Sequence, residues 1–389
     1  MTRIGIIGGG LAGLVCARKL VEAGLRPIVL EKERQLGGRT ATEVIDGIPI
    51  DVGAKTFSKS YRRFRELVDA LGLKPQIKRV PMLQEAIYTD GRVLSLANIL
   101  SSDVFSRQEL LQIAKLSLGG GGITWPPNDS FDALHRLSWR EQLEAEGYGP
   151  GILSNFIDPL ARLVTHTDSA GISAAFGRFL ASLMNAPKFV LADGFQVVID
   201  ALERQLVSRA KIVTGIAVQC IVPEQGHYSL QCIASGQPSE LALDVVVSTV
   251  PIPILNRLFP ALPVTCSYAR SVHLVVRGRR KPVLGDIYFL ATTANDYGVL
   301  SCIGNQAVTT VLAKDTDYRL EFLFDEYEVI RELRYDYGIA LMTPGCAVPP
   351  LEPGPEGLYL CGDFYYYPSV EASVVSAETV AQRIVSHYV

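Results

Sequence analysis

The 389 residues exceed the span of one ordinary domain, and a hydrophobic share of 48% supplies core enough for two. Lys and Arg number 37 against 40 Asp and Glu, spread without a basic stripe or charged tail, which excludes a nucleic-acid partner. The seven cysteines are scattered and odd in number, with no CxxC pair, which excludes a disulfide framework and a structural zinc site, so no metal is expected.

The chain enters its first strand almost at once, leaving no room for a leader peptide, and no run of ~18 apolar residues offers a membrane span. A cytoplasmic protein is the expectation, with peripheral membrane contact and oligomeric state left open. Ile4, Ile6 and Ile7 form a short apolar run that ends in Gly8, Gly10 and Gly13 at GxGxxG spacing. Leu11 and Ala12 open a helix there, and Leu14, Ala17, Leu20 and Val21 recur along it at helical period. One glycine allows the turn, one lets backbone approach a pyrophosphate, and one lets helix and strand pack closely. Free amides and the helix dipole then suit phosphate. Gly24 ends the helix, and Ile28, Val29 and Leu30 run to Glu31, suited to a pair of ribose hydroxyls, with Lys32 beside it. An acid at that place disfavours a 2'-phosphate. GxGxxG alone also fits a glycine-rich turn without a ligand. Gly37, Gly38, Arg39 and Thr40 narrow the choice, because a simple NAD dehydrogenase needs no second glycine pair and cation just past its ribose acid.

The stretch 4–40 resembles the extended FAD fingerprint of the flavin-containing amine oxidase superfamily, which includes protoporphyrinogen oxidases and carotenoid desaturases. That resemblance implies an α/β fold: a doubly wound, Rossmann-like FAD-binding domain with an inserted α+β substrate domain. It also implies that Gly37, Gly38, Arg39 and Thr40 lie along pyrophosphate and flavin.

Further along, Asp46 and Gly47 signal a hairpin, and the returning strand ends in Asp51, Val52, Gly53 and Ala54. By resemblance Gly53 and Ala54 lie against the flavin ring, and Lys55 points either at the ring as a catalytic residue or into solvent as a turn lysine. Phe64, Leu67, Val68 and Leu71 share one face of a packing helix. From about 81 the pattern changes to a strand at 86–96 and helices at 108–118 and 138–146. The glycine run 119–122 and the prolines 126 and 127 read as a substrate gate or a surface connection. His135 and His166 carry no motif and read as surface or hydrogen-bonded core histidines.

At 192–206 the chain resembles the family's return to the FAD domain, with Asp193 in place of a glycine and placed as the N-cap of the helix. Segments 211–222, 227–234 and 241–250 read as strands, and the resemblance puts Val218 against adenine. Strands at 272–277, 287–291, 299–303 and 309–313, with a helix near 326–334, make the inserted domain's own sheet. Where monoamine and polyamine oxidases place a lysine near flavin N5, the stretch SVHLVVRG has none, and His273 is the nearest polar candidate.

The end of the chain, 357–385, is a strand to Cys361, a turn at Gly362 and Asp363, and a helix with Val370, Val374, Ala377, Val380, Ala381 and Ile384 on one face. It resembles the family's closing motif, which implies that Asp363 takes the ribityl chain and that Ser369 and Val370 bring the helix N-terminus to the flavin pyrimidine. Covalent family members attach flavin to a cysteine that would fall near Tyr337, so FAD is expected to be noncovalent. The two tyrosines of the amine oxidase aromatic cage would fall near Gly338 and Ser369. Ser369, Val370 and Glu371 instead resemble carotenoid desaturases, with Ala372 in place of their glycine.

These readings make residues 1–80, 190–255 and 350–389 the FAD-binding domain, and 81–189 and 256–349 the substrate domain. The expected reaction removes hydride and proton from a small apolar or cyclic molecule across a C–C or C–N bond. An amine or amino-acid oxidase is the alternative, with Tyr365, Tyr366 and Tyr367 as candidate aromatic walls. A redox-neutral flavoprotein isomerase, or an FAD-binding protein without turnover, is a third. The electron acceptor is not read from the sequence.

Overall fold

The computed structural model describes residues 2–81, 85–89, 91–95, 98–118, 131–184, 186–262, 264–284, 289–292, 298–301, 308–313 and 318–389. Its first sheet is wholly parallel and runs in the order Lys211–Thr214, Ile28–Glu31, Ile4–Ile7, Val245–Ser248, Leu358–Leu360. Such a sheet is buried on both faces, so its strands are apolar throughout and alternate residues serve different cores. Ile4, Ile6, Val245 and Val247 join the core beneath helices Leu11–Glu22 and Val370–Tyr388. Ile7, Leu30, Val246 and Leu360 point the other way, into a core closed by a meander of strands Ile216–Glu224, His227–Ala234 and Gln237–Leu243. The expected doubly wound α/β fold is present. The strand expected over 241–250 is two strands, broken at Asp244, whose carboxylate accepts from the Arg3 backbone N–H at 2.7 Å.

A second sheet of seven strands begins with Phe324–Leu341 and Ser267–Arg280, an antiparallel pair, and ends in the hairpin Glu85–Thr89 with Arg92–Ser95. Helices Asp158–Thr165 and Ala174–Met184 stand among the elements that separate the two sheets in sequence. The helix expected near 326–334 is instead part of the long strand Phe324–Leu341. Its charged residues at mixed spacing imitate a solvated helix, but Tyr327 and Val329, two apart, pack on one core while Ile330 packs on another. Pairing with the 14-residue strand Ser267–Arg280 overrides local propensity. The glycine run 119–122 and the prolines after it lie outside the described residues.

Candidate functional site

Two glycine turns meet at the C-terminal end of the parallel sheet. Gly8 has φ +111°, a conformation that favours glycine. A Cβ on Gly13 would stand 2.0 Å from the Gly8 carbonyl oxygen, so helix and strand pack here through bare backbone. Gly10 differs: a Cβ there meets only the Gly37 carbonyl oxygen, at 3.7 Å, and opens onto free space. Leu11 and Ala12 are buried behind it at the start of the helix. The second turn is tied to the first, since the Gly37 N–H donates to the Gly9 carbonyl at 3.0 Å. Gly38 also has positive φ, and Thr40 Oγ1 donates to the Gly37 carbonyl at 2.7 Å.

Glu31 ends its strand buried beside this turn, accepting from the Gly9 N–H at 2.7 Å and the Glu33 N–H at 2.9 Å. Each carboxylate oxygen keeps a lone pair for a further donor. Lys32 is exposed and pairs with Glu33 at 3.3 Å. Val218, half-buried, packs on the core that holds Ile7 and Leu30, next to a bulge between Val218 and Cys220. Gly10 thus leaves open space at the start of the helix, with the Glu31 carboxylate bonded to the adjacent Gly9. Asp193 does not cap the next helix, Gln196–Leu206: its carboxylate accepts from Gln76 Nε2 at 2.8 Å. The Phe195 N–H goes to Asp51 Oδ1 at 2.8 Å and the Gln196 N–H to Thr42 Oγ1 at 2.9 Å, acceptors on a hairpin some 150 residues earlier.

The turn 52–55 is fixed to the second glycine pair. The Ala54 N–H donates to the Arg39 carbonyl at 2.8 Å, and a Cβ on Gly53 would lie 2.0 Å from that same oxygen. Lys55 Nζ donates to the Asp51 carbonyl. His273, in the middle of Ser267–Arg280, comes to this turn. Burial first, then the nearby Lys55 and His166, hold its imidazole well below the ordinary value, opposed by a hydrogen bond with the Val52 backbone. The two residues picked as catalytic candidates, Lys55 and His273, are thus neighbours.

At the other end of the chain, the Gly362 N–H donates to Ser376 Oγ at 3.0 Å, closing the turn onto helix Val370–Tyr388. Ser369 caps that helix, accepting from the Ala372 N–H at 3.2 Å, and Val370 is buried. Glu371, fully buried, accepts from the Arg63 and Phe64 N–H groups at 2.9 and 2.8 Å and so caps helix Arg62–Ala70. Asp363 receives both Nη atoms of Arg39, at 2.8 and 2.6 Å, and Arg39 Nη1 also donates to the Gly338 carbonyl at 3.2 Å. The N-terminal and C-terminal motifs therefore bond to each other, 324 residues apart in sequence.

Several neighbours escaped sequence reasoning. Tyr268 and Cys266 lie beside Arg39 and Asp363, and burial with the Asp363 charge pushes the Cys266 thiol up to about 12. Ser271 and Tyr335 stand beside His166 and His273. Ser271 and His273 are two apart on one strand and so share a face, a signal present in the sequence but without direction. His135 and His166 are both buried and hydrogen-bonded, His135 Nε2 lying 2.7 Å from the Cys346 carbonyl. Tyr365 is structural, its hydroxyl donating to the Pro350 and Leu360 carbonyls. Tyr366 and Tyr367 meet Phe131 edge-on, and Tyr367 stacks on Phe179 at 4.8 Å. Among the described residues no His, Cys, Asp or Glu cluster is arranged for a metal, and no helix is long and apolar enough to cross a membrane.

Residues 11–275 match the family of flavin containing amine oxidoreductases. The chain belongs to this family. A flavin-dependent L-tryptophan oxidase of Lentzea aerocolonigenes is 25% identical over 66% of this chain and 59% of its own. A coproporphyrinogen III oxidase of Mycobacterium bovis is 26% identical over 69% of this chain and 63% of its own. The chain thus spans less than two thirds of the length of either relative. Among solved structures, cyclohexylamine oxidase from Brevibacterium oxydans superposes with a TM-score of 0.75 over 99% of both chains at 16% identity. An oxidoreductase from Methanosarcina mazei superposes at 0.70, over 98% of this chain and all of its own, at 18% identity. These likenesses are of fold.

Proposed function

We propose that the chain binds FAD noncovalently and removes a hydride and a proton from a small, largely apolar or cyclic molecule across a C–C or C–N bond. The observation that carries this reading is the Arg39–Asp363 pair, which joins both ends of the chain beside the glycine cradle. In this reading Gly8, Gly10, Leu11, Ala12 and Gly13 hold the pyrophosphate and Glu31 with Lys32 the ribose. Val218 lies at adenine, and Gly37 to Thr40, Gly53, Ala54, Gly362, Asp363, Ser369 and Val370 follow the rest of the ligand. Residues 1–80, 190–255 and 350–389 form the cofactor domain and the remainder the substrate domain.

When bound, the flavin supplies a two-electron acceptor at N5. The chain orients the partners and excludes water, while the capped N-terminus of helix Val370–Tyr388 stabilises negative charge nearby by on the order of 1 kcal/mol. Lys55 and His273 are the side chains proposed to meet the substrate. Noncovalent binding accords with burial, which pushes both the Cys266 and Cys346 thiols upward and so away from the nucleophilic thiolate.

An amine or amino-acid substrate is the second reading, favoured by the rings of Tyr366, Tyr367, Phe131 and Phe179 and by the relative that oxidises L-tryptophan. Purified protein is expected to be yellow and to release all its flavin, with the mass of FAD, on acid precipitation. Flavin held in the washed pellet would overturn the noncovalent assignment. Anaerobic bleaching by coproporphyrinogen III but not by L-tryptophan or cyclohexylamine supports the first reading. The reverse supports the second. Bleaching by none of the three turns the proposal toward a flavoprotein without net oxidation.

A further inference from the structure

His273 is 8% exposed, and its Nδ1 has no hydrogen-bond partner among the described residues. A buried polar atom left unsatisfied costs roughly 1 to 3 kcal/mol, and folded proteins keep few of them without a use. The ring stands against the turn 52–55, next to Gly53 and Ala54, which the proposed function sets at the flavin. Its edge meets the Tyr335 ring with centroids 5.2 Å apart. Beneath it on the same strand face, Ser271 Oγ lies 3.2 Å from Nε2 of His166, the residue that ends helix Asp158–Thr165 with φ +55°. Its partners across the sheet are Leu312 on strand Val308–Ala313 and Leu333 on strand Phe324–Leu341, both uncharged.

We infer that His273 is a substrate-binding residue whose Nδ1 accepts a hydrogen bond from an uncharged N–H or O–H group of the substrate. His166 and Ser271 act on it as positioning residues, with Lys55 beside it. The inference rests on the flavin reading for the place of the substrate. Burial, Lys55 and His166 all disfavour the imidazolium, so the ring is neutral at physiological pH and carries one proton. That proton is assigned to Nε2, toward the Val52 backbone, whose hydrogen bond favours the charged ring. Nδ1 is left as a lone-pair acceptor. A cationic donor, such as an ammonium, would have to sit beside Lys55 and is disfavoured by like charge. The donor so held fixes which C–H of the substrate faces the flavin, which makes His273 a determinant of specificity.

The test is nitrogen NMR of the FAD-loaded protein labelled at its 5 histidines. His273 is assigned by its absence in His273→Gln or, should that variant fail to fold, by through-bond correlation. The expected spectrum is a neutral ring protonated at Nε2, titrating below 6.5, with the titration moved upward in Lys55→Met. Pyrrole or phenol, added as uncharged donor probes, should shift Nδ1 in a saturable way, while methylammonium should not. With any compound that bleaches the flavin, His273→Gln should raise KM roughly tenfold at unchanged flavin content, the loss of about one hydrogen bond. A proton on Nδ1, or an Nδ1 signal unmoved by both pyrrole and phenol, overturns the inference. A shift by methylammonium as strong as by pyrrole overturns the preference for an uncharged group. Protein that carries no flavin at all refutes the proposed function instead, a result read from the visible spectrum alone.

Discussion

Gly10→Val is expected to fold as the parent does and to lose its flavin. The backbone at Gly10 has φ −79°, which any residue adopts, and a Cβ there makes only an ordinary contact with the Gly37 carbonyl. The added branches instead occupy the space assigned to the pyrophosphate. Overpacking of this kind costs about 1 to 3 kcal/mol, close to a tenfold to hundredfold loss of affinity. Gly13→Val is the contrasting variant, because its Cβ would fall 2.0 Å from the Gly8 carbonyl, and backbone cannot yield as a side chain can. It should melt far earlier, whether or not flavin is present. Flavin content by absorbance and melting by circular dichroism separate the two. A Gly10→Val protein that keeps flavin at parental stoichiometry would remove Gly8 to Gly13 from the phosphate site.

Asp363→Ala is expected to weaken FAD binding by roughly tenfold to hundredfold, through loss of a charge-assisted hydrogen bond worth about 1.5 to 3 kcal/mol. The Arg39 pairing adds a consequence in the apoprotein. Arg39 and Asp363 side chains are 27% and 19% exposed, so the single variant strands a guanidinium that is largely shielded from water. Solvent softens the penalty, yet the apoprotein should melt measurably earlier. Removing both partners should restore much of that melting temperature, because no charge is then left stranded, while FAD affinity stays low. Glu31→Gln is the control at the far end of the ligand. It should lower FAD affinity while leaving the Arg39–Asp363 pair intact. If Asp363→Ala melts early but binds FAD as tightly as the parent, the carboxylate serves only Arg39, and its assignment to the ribityl chain fails.

Much of this protein is written in local spacing. The glycines at 8, 10 and 13, the apolar strand before them and the helical period after them determine a strand, turn and helix without help from elsewhere. Parallel strands covered on both faces must be apolar at every position, so Ile4 to Ile7 and Val245 to Ser248 could be read directly. The motifs at 37–40 and 362–371 carry enough particular residues to imply the flavin family by resemblance. Tertiary structure alone decided the rest, because it depends on partners far apart in the chain. Phe324–Leu341 is a strand because Ser267–Arg280 offers it a long ladder, which no local propensity reveals. Helix Gln196–Leu206 is capped by Thr42 and Asp51 and not by the nearer Asp193, because the hairpin holds acceptors where the helix N–H groups point. A strand's period of two states that Ser271 and His273 share a face, but the face is set by register against neighbours that fold elsewhere. That register brings His166 and Lys55 to His273, and the closing of the sheet by Leu358–Leu360 brings Asp363 to Arg39.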